Sequence, residues 1–249
     1  MSTGMERWSG QVALVTGASG GIGRATAKLL ASHGMHVAAW ARRLDALESL
    51  AEEAPGVVPQ QVDLRDEAQI VQAFEAIRAR WGGVDVLVNN AGLGHKAPLT
   101  TGQTHHWREM LEVNVLALCI CTREALADIA RRGDQGHVIH ISSMAGHRVP
   151  LESGVYSATK YAVRSLTEGL RLELRAAGRQ SRVTAISPGY VETGFAAHYH
   201  KSDAAAEATY GQYTCLQSED VAQAVVYALG QPPHAQIHDI LMRPTEQES

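Results

Sequence analysis

The sequence contains a tyrosine and a lysine, Tyr156 and Lys160, four residues apart in a segment with helical periodicity. On a helix, residues at this spacing lie on one face, one turn apart. Because a positive charge beside a phenol favours the phenolate, we expect Lys160 to lower the pKa of Tyr156 from about 10 toward neutrality. Such a phenol could exchange a proton with a substrate oxygen. A chance pairing of two surface residues would show the same spacing.

A glycine-rich segment near the N-terminus could hold an anion. The buried-strand pattern Val12–Thr16 leads into residues 17–23, and a helical pattern follows. Backbone N–H groups at such a helix N-terminus can face a phosphate. Gly17 would make the turn, Gly21 would let the backbone approach a pyrophosphate, and Gly23 would permit close helix–strand packing. The spacing departs from the common dinucleotide motif, and glycine turns also occur as purely structural turns, but this placement favours a nucleotide.

The end of the second predicted strand, His36–Ala41, indicates which nucleotide. An enzyme that uses NAD usually has an acidic residue there, about twenty residues beyond the glycines, to hold the ribose 2′-hydroxyl. Here Ala41 occupies that place, and Arg42 and Arg43 follow it. A missing carboxylate and adjacent guanidinium groups suit a 2′-phosphate, so we predict NADP. Alternatively, the arginines simply begin a solvated helix over Leu44–Glu53.

Strand and helix patterns alternate along the rest of the chain, without a composition break, a linker or an internal repeat. This alternation predicts an α/β fold with one doubly wound parallel sheet flanked by helices on both faces. We expect a single domain over residues 1–249, with a cofactor and catalytic core at about 10–189. Ligands of such sheets bind at the carboxyl ends of the strands. Six residues that follow strands should therefore converge on one crevice: Gly17, Arg42, Asp63, Asn90, Ser143 and Gly189.

Composition excludes several classes of function. The net charge is −4 and the basic residues are scattered, so we expect neither nucleic-acid binding nor attraction to an anionic membrane. No apolar stretch reaches the length of a membrane span. The three cysteines form no disulfide framework, and we expect them to be reduced in a cytoplasmic protein. Among the twelve histidines, no predicted helix carries two at four-residue spacing together with a glutamate, as a metalloprotease motif requires, so no metal is predicted.

The motifs together resemble the short-chain dehydrogenase/reductase family over essentially the whole chain. They agree in order and spacing: the glycine-rich segment 16–23, Asp63-Leu64, residues 89–92, Asn114, Ser143, Tyr156-x-x-x-Lys160, and Pro188-Gly189-x-Val191-x-Thr193. A narrower resemblance, to NADP-dependent carbonyl and ketosteroid reductases of this family, is carried by segments such as 146–149 and 242–247. The connection from Val149 to Tyr156 is shorter than in those enzymes.

The resemblance implies a mechanism. NADPH would deliver a hydride to a carbonyl carbon, and Tyr156 would protonate the oxygen. Lys160 would lower the pKa of the tyrosine and hold the nicotinamide ribose, Ser143 would hydrogen-bond the carbonyl, and Asn114 would fix a water leading from Lys160 to solvent. Ser142 is the alternative hydroxyl, but neighbours on a strand point to opposite sides. The cofactor-binding residues are expected to be Gly17, Ser19, Gly21, Ile22, Gly23, Arg42, Arg43, Asp63, Leu64, Asn90, Tyr156, Lys160, Val191 and Thr193.

Two further expectations concern substrate and assembly. The loosely patterned stretch at about 190–217 is long for a connection and predicts a substrate lid. Its aromatic residues Phe195, Tyr199 and Tyr210, and its lack of arginine, favour a bulky apolar ketone, ketosteroid- or dicarbonyl-like. A long helix is predicted over about 104–130, and its apolar middle around residues 113–118 indicates a homo-oligomer, a tetramer or dimer. A hydroxy-acid or 3-oxoacyl-type dehydrogenase and a non-catalytic NADP-binding regulator remain alternatives.

Overall fold

A computed structural model describes residues 4–247 and shows one seven-stranded parallel sheet with helices on both faces. The strand order is β3-β2-β1-β4-β5-β6-β7. The strands are β1 Val12–Thr16, β2 His36–Ala41, β3 Val57–Gln61, β4 Val86–Asn89, β5 His137–Ile141, β6 Arg182–Pro188 and β7 Asp239–Met242. This confirms the predicted doubly wound α/β fold.

Nine helices lie within the described residues. They are α1 Gly21–Ser32, α2 Leu44–Glu53, α3 Glu67–Trp81, α4 Thr104–Leu111, α5 Ala117–Arg131, α6 Gly154–Ala176, α7 Phe195–His200, α8 Asp203–Tyr210 and α9 Ser218–Gly230. The helix predicted over about 104–130 is present, but a π-helical turn, Glu112–Leu116, divides it into α4 and α5. No helix among residues 4–247 is long and apolar enough to cross a membrane.

The sheet separates two apolar cores. Strand β1 is buried along its whole length, as expected for a strand covered on both sides. Val12 and Leu14 pack on one face with residues of α3 and α5, whereas Ala13 and Val15 pack on the other with residues of α1 and α9. Because successive side chains point to opposite faces of the sheet, each position of β1 contributes to one of the two apolar layers. Burying a leucine side chain in such a layer stabilises the fold by about 1.5–3 kcal/mol.

The chain adds β2 and β3 on one side of β1 and the later strands on the other side. This change of side locates the crevice. After β3 the chain returns to place β4 on the other side of β1. The crossovers that leave β1 and β4 therefore run to opposite sides, which opens a crevice at the carboxyl ends of these strands.

Side chains cap the N-termini of α3 and α9. The Asp66 carboxylate accepts hydrogen bonds from the N–H groups of Ala68 and Gln69 at the start of α3. In α9, Ser218 precedes two acidic residues, but it is the first residue of the helix and not the N-cap. Gln217 is the N-cap and forms a reciprocal capping box with Asp220, because the longer amide reaches the third backbone N–H of the helix.

Candidate active site

A cleft of about 770 Å³ opens at the carboxyl ends of the strands. It collects all six residues predicted to converge there. Of the sixteen distinct residues assigned to catalysis or cofactor binding, all except Gly23 and Asn114 line this cleft. The volume lies in the range of small-molecule and cofactor sites, so the cleft is large enough for a dinucleotide together with a small substrate.

The glycine-rich loop between β1 and α1 forms one end of the cleft. Gly17 has a φ of 69°, and a Cβ atom there would lie 2.9 Å from the Cα of Ala91. Gly23 lies behind the loop, where a Cβ atom would approach the carbonyl oxygen of Gly17 to 2.5 Å. The Asn90 amide donates to the carbonyl oxygen of Thr16 at 2.8 Å and ties the loop to the end of β4. The loop therefore has the close packing and exposed backbone that a pyrophosphate requires.

The two arginines after β2 differ in their contacts. The Arg43 guanidinium donates to the hydroxyl of Ser19 at 3.1 Å and to the Ser19 carbonyl oxygen at 3.3 Å, and no carboxylate among the described residues pairs with it. Arg42 is more than half exposed and lies 3.9 Å from the Glu109 carboxylate. Ala41 places no acidic group beside them. This corner can hold a 2′-phosphate through Arg43 and Ser19, with Arg42 as a further nearby cation.

Asp63 lies at the same end of the cleft, but its carboxylate is bound by Arg65. The Arg65 guanidinium donates to both carboxylate oxygens of Asp63, at 2.5–3.1 Å. These hydrogen bonds from Arg65 are the main cause that lowers the pKa of Asp63, and burial opposes them. Asp63 is therefore a charged, fixed carboxylate beside the cleft, with Leu64 next to it.

Tyr156, Ser143 and Lys160 meet at the floor of the cleft. The side chains of Tyr156 and Ser143 are joined by a hydrogen bond. Lys160 is buried, its ammonium donates to the carbonyl oxygen of Ile141 at 2.9 Å, and it lies 5.9 Å from the centre of the Tyr156 ring. Ser142 also lines the cleft, but its hydroxyl donates to the Lys160 carbonyl oxygen at 3.3 Å. Ser143 is thus the hydroxyl that contacts the phenol.

Burial rather than the lysine dominates the ionisation of this group. Burial raises the pKa of Tyr156 to about 12, although the hydrogen bond with Ser143 acts in the opposite direction. Burial also lowers the pKa of Lys160 to about 8. The expectation that Lys160 lowers the pKa of Tyr156 is therefore wrong for the chain by itself. The loss of solvation outweighs the effect of an ammonium that is directed at a backbone carbonyl.

Asn114 lies beside the cleft, in the π-helical turn. Its amide oxygen accepts a hydrogen bond from the N–H of Leu93 at 2.9 Å, and its amide nitrogen donates to the Leu93 carbonyl oxygen and to the Thr159 hydroxyl, at 2.8 and 3.0 Å. Asn114 therefore fastens the loop after β4 to α6. The family resemblance implied a different role for Asn114, fixing a water that leads from Lys160, and nothing in the sequence indicated the π-helical turn.

Several cleft residues were not found from the sequence. Arg148, at the substrate end, is half-buried, and no carboxylate among residues 4–247 lies within ion-pair distance of it. A Cβ atom at Gly94 would lie 2.8–3.1 Å from the rings of Phe195, Tyr199 and Tyr156. Arg148 belongs to the segment 146–149 that carries the narrower resemblance, but nothing in that segment indicated its place in the cleft. Gly94 belongs to no motif and lies beside the cleft, against these rings. No cluster of potential metal ligands occurs within the described part of the chain.

The aromatic side chains of α7 cover the phenol. Phe195 and Tyr199 have ring centres 5.4 and 6.2 Å from that of Tyr156. The Tyr210 hydroxyl donates to the Thr193 carbonyl oxygen at 3.0 Å and accepts from the N–H of Ala196 at 3.3 Å. The stretch predicted as an irregular lid thus contains two helices, α7 and α8, and the first of them contributes an aromatic wall to the cleft.

Comparisons with known proteins agree with this geometry. A family model described as short chain dehydrogenase matches residues 11–204. A curated relative from Gallus gallus, Dehydrogenase/reductase SDR family member 11, is 54% identical over 98% of this chain and 100% of its own length. The closed form of a serine dehydrogenase complexed with NADP+ superimposes with a TM-score of 0.91 at 34% identity, covering 96% of this chain and 97% of that one.

A second solved structure holds the other nicotinamide cofactor. It is a short chain dehydrogenase/reductase from Burkholderia phymatum in complex with NAD, with a TM-score of 0.84 at 28% identity, covering 94% of this chain and 89% of that one. The match of family model and relative over most of the chain confirms the resemblance that the motifs carry. The chain belongs to the short-chain dehydrogenase/reductase family and is an oxidoreductase.

Proposed function

We propose that the protein is an NADPH-dependent reductase that converts the carbonyl of a bulky apolar ketone, ketosteroid- or dicarbonyl-like, to an alcohol. The observation that carries the proposal is the hydrogen-bonded pair of Tyr156 and Ser143, with Lys160 beside it, on the floor of a cleft whose other end is a glycine-rich loop. A proton donor and a dinucleotide-binding loop would then share one cavity.

The residues of the cleft fit the cofactor. The exposed backbone of the glycine-rich loop suits the pyrophosphate, and Arg43 with Ser19 suits a 2′-phosphate. Val191 and Thr193, which also line the cleft, are proposed to contact the nicotinamide end. When bound, NADPH supplies the hydride. The solved relatives include NADP and NAD complexes, so the NADP preference rests on Arg42, Arg43 and Ala41 of this chain.

The protein supplies the proton. With a pKa of about 12, Tyr156 carries its proton throughout the neutral range, which is the state that a general acid needs for carbonyl reduction. Its proton passes to the carbonyl oxygen as the carbon receives the hydride, so the alcohol forms and a phenolate remains. Ser143 holds the same oxygen by a hydrogen bond, and its hydroxyl stabilises the phenolate while it lasts. Asn114 keeps the loop and α6 in register beneath them.

The substrate class follows from the wall of the cleft. Phe195, Tyr199 and Tyr190 present aromatic surface on the side away from the glycine-rich loop, and Met144 and Leu151 add apolar surface. Such a wall favours a large apolar ketone. We further propose that residues 190–217 act as the substrate lid of a single domain spanning the chain.

One observation favours a second candidate, a hydroxy-acid or 3-oxoacyl-type dehydrogenase. Arg148 lines the substrate end of the cleft without an acidic partner among the described residues, and a guanidinium there could hold a carboxylate. One solved relative is a serine dehydrogenase. Comparing kcat/KM for a 3-oxo acid and its methyl ester separates the two candidates, because only the acid offers Arg148 a charge.

We also propose a homo-oligomer, a tetramer or dimer. Leucines on α4, the π-helical turn and α6 remain substantially exposed although large and apolar: Leu111, Leu116 and Leu172. A second copy of the chain would cover them. Light scattering that shows a monomer at micromolar concentration would overturn this proposal. The three cysteines form no disulfide, which supports the proposed cytoplasmic setting.

The test of the proposed reaction is oxidation of NADPH in the presence of a panel of ketones, followed by absorbance. We expect turnover with bulky apolar ketones and a lower rate with NADH. If the protein binds NADPH but none of the ketones, oxo acids or aldehydes leads to NADPH oxidation, the protein would instead be the non-catalytic regulator.

A further inference from the structure

Three histidines from separate elements meet beside the substrate end of the cleft. His95 follows β4, His106 lies on α4, and His198 lies on α7. The His95 ring stacks on His106 with ring centres 4.2 Å apart and lies 5.1 Å from His198. We call these three residues the histidine cluster. Since α7 carries part of the aromatic wall, the cluster joins that wall to the body of the protein.

Two polar contacts hold the cluster together. The buried His95 ring shares a hydrogen bond of 2.8 Å with the Glu109 carboxylate on α4. The ammonium of Lys201, which ends α7, lies 3.0 Å from the Nε2 atom of His106. An ammonium can only donate, so Nε2 of His106 must accept with its lone pair. This contact exists only while His106 is neutral.

The same contacts fix the position of the aromatic wall. The N–H of Lys96, next to His95, donates to the Tyr199 carbonyl oxygen at 3.3 Å. Tyr199 and Phe195 in turn pack against the ring of Tyr156. A shift of α7 away from α4 would therefore widen the substrate end of the cleft without moving Tyr156, which lies on α6.

We propose that His106, together with His95 and His198, is a positioning residue that docks α7 against α4 while it is neutral, and that its protonation releases α7 and weakens ketone binding. This inference rests on the proposed function for its effect on ketone binding, but the docking itself does not depend on it. His106 acts through Lys201 and α7 and does not touch the reacting atoms.

The charges around the cluster favour the neutral state. The cations that face the cluster are Arg42, Arg65 and Lys201. The ring of His105 packs on that of His106. The facing carboxylate is that of Glu109, and Glu112 lies beyond Arg65. Burial, and then His95, Lys201 and His105, lower the pKa of His106, with Glu109 opposing.

Burial and then His95 likewise lower the pKa of His198, but neither of the two polar contacts that hold the cluster together involves its ring, so the acid-sensitive contact is that of His106. A group with a lowered pKa contributes its docking free energy above its ordinary pKa of about 6.5 and loses it as the pH falls through the lowered value. Docking should therefore be complete near neutrality and weaken in mild acid.

The test compares ketone KM and kcat at about pH 7.5 and about pH 5.5, both below the pKa of Lys160. We expect KM to rise about three- to tenfold at the lower pH while kcat at saturating ketone changes little, since the aromatic wall contacts the ketone equally in the ground state and the transition state. In His106→Gln the amide oxygen accepts from Lys201 at either pH, so the rise in KM should disappear.

Two further variants sharpen the test. Lys201→Gln should reduce the rise, because an amide can pair with His106 in either protonation state. The control is His234→Gln, which changes an exposed histidine before β7 and should keep the full rise. A rise in KM that is unchanged in both His106→Gln and Lys201→Gln would overturn the proposal.

Hydrogen exchange of the α7 amides, corrected for intrinsic rates, provides a readout without catalysis. Exchange should increase at about pH 5.5 in the wild-type protein and in His234→Gln, but not in His106→Gln. This increase without ketone turnover would refute the proposed function and support the docking, whereas turnover without the increase would refute the docking alone.

Discussion

Replacing Tyr156 by phenylalanine removes a single oxygen atom from the floor of the cleft. The ring contacts with Phe195 and Tyr199 remain, since they involve the ring and not the hydroxyl. The hydrogen bond to Ser143 is lost, which costs about 0.5–1.5 kcal/mol, but the unfavourable burial of the phenolic hydroxyl is lost as well. We therefore expect little change in the free energy of unfolding and in NADPH affinity.

The rate of ketone reduction should respond very differently. A positioned general acid contributes about 10²–10⁴-fold, which corresponds to about 2.7–5.4 kcal/mol of transition-state stabilisation. Since the pKa of Tyr156 is raised to about 12, the wild-type enzyme keeps its acid through the neutral and mildly alkaline range. Loss of reduction caused by ionisation of Tyr156 should therefore begin only as the pH approaches that value.

Single-turnover reduction at saturating NADPH, together with NADPH titration by fluorescence, measures both effects. Tyr161→Phe is a matched control, because Tyr161 lies on the same helix but is exposed and outside the cleft lining. A Tyr156→Phe protein that binds NADPH and reduces its ketone at the wild-type rate would show that the proton comes from another group. An early alkaline loss of rate that is absent from Tyr156→Phe would contradict the raised pKa.

Three further predictions concern the cofactor, the loop after β4 and the aromatic wall. Arg43→Gln should weaken NADPH binding by about 10- to 150-fold and leave NADH affinity nearly unchanged, because a charge-assisted contact contributes about 1.5–3 kcal/mol. Parallel titrations with the two cofactors measure this, and equal losses of affinity for both would contradict it. Asn114→Leu should lower the free energy of unfolding by about 2–4 kcal/mol, since it leaves the buried N–H and C=O groups of Leu93 unpaired, and urea denaturation that shows no loss would refute this. Gly94→Ala should raise the ketone KM more than it lowers kcat, because its methyl group would displace the ring of Phe195; steady-state kinetics with an unchanged KM would exclude such a displacement.

Much of the fold is predictable from local pattern. Strands β1 and β2 and helix α2 have the bounds that their local patterns predict, Val12–Thr16, His36–Ala41 and Leu44–Glu53. Because parallel strands place their carboxyl ends at one edge of the sheet, residues after β1, β2, β4, β5 and β6 had to converge. The order and spacing of the motifs were enough to identify the family.

Features that depend on contacts between distant segments could not be read in this way. The π-helical turn at Glu112–Leu116 and the docking of α7 on α4 bring together side chains far apart in sequence, and no local periodicity encodes them. Only loop conformation places Arg148 in the cleft lining and Gly94 against the rings of Phe195, Tyr199 and Tyr156.

The ionisation of Tyr156 and Lys160 shows most clearly what the sequence determines and what only the tertiary structure decides. The sequence by itself determines that Tyr156 and Lys160 share a helix face, because helical spacing is a local property. Whether the lysine lowers the pKa of the phenol depends on the solvation of both groups, and that is set by everything packed around them. Burial raises the pKa of Tyr156 and lowers that of Lys160, because desolvation disfavours the charged form of each group.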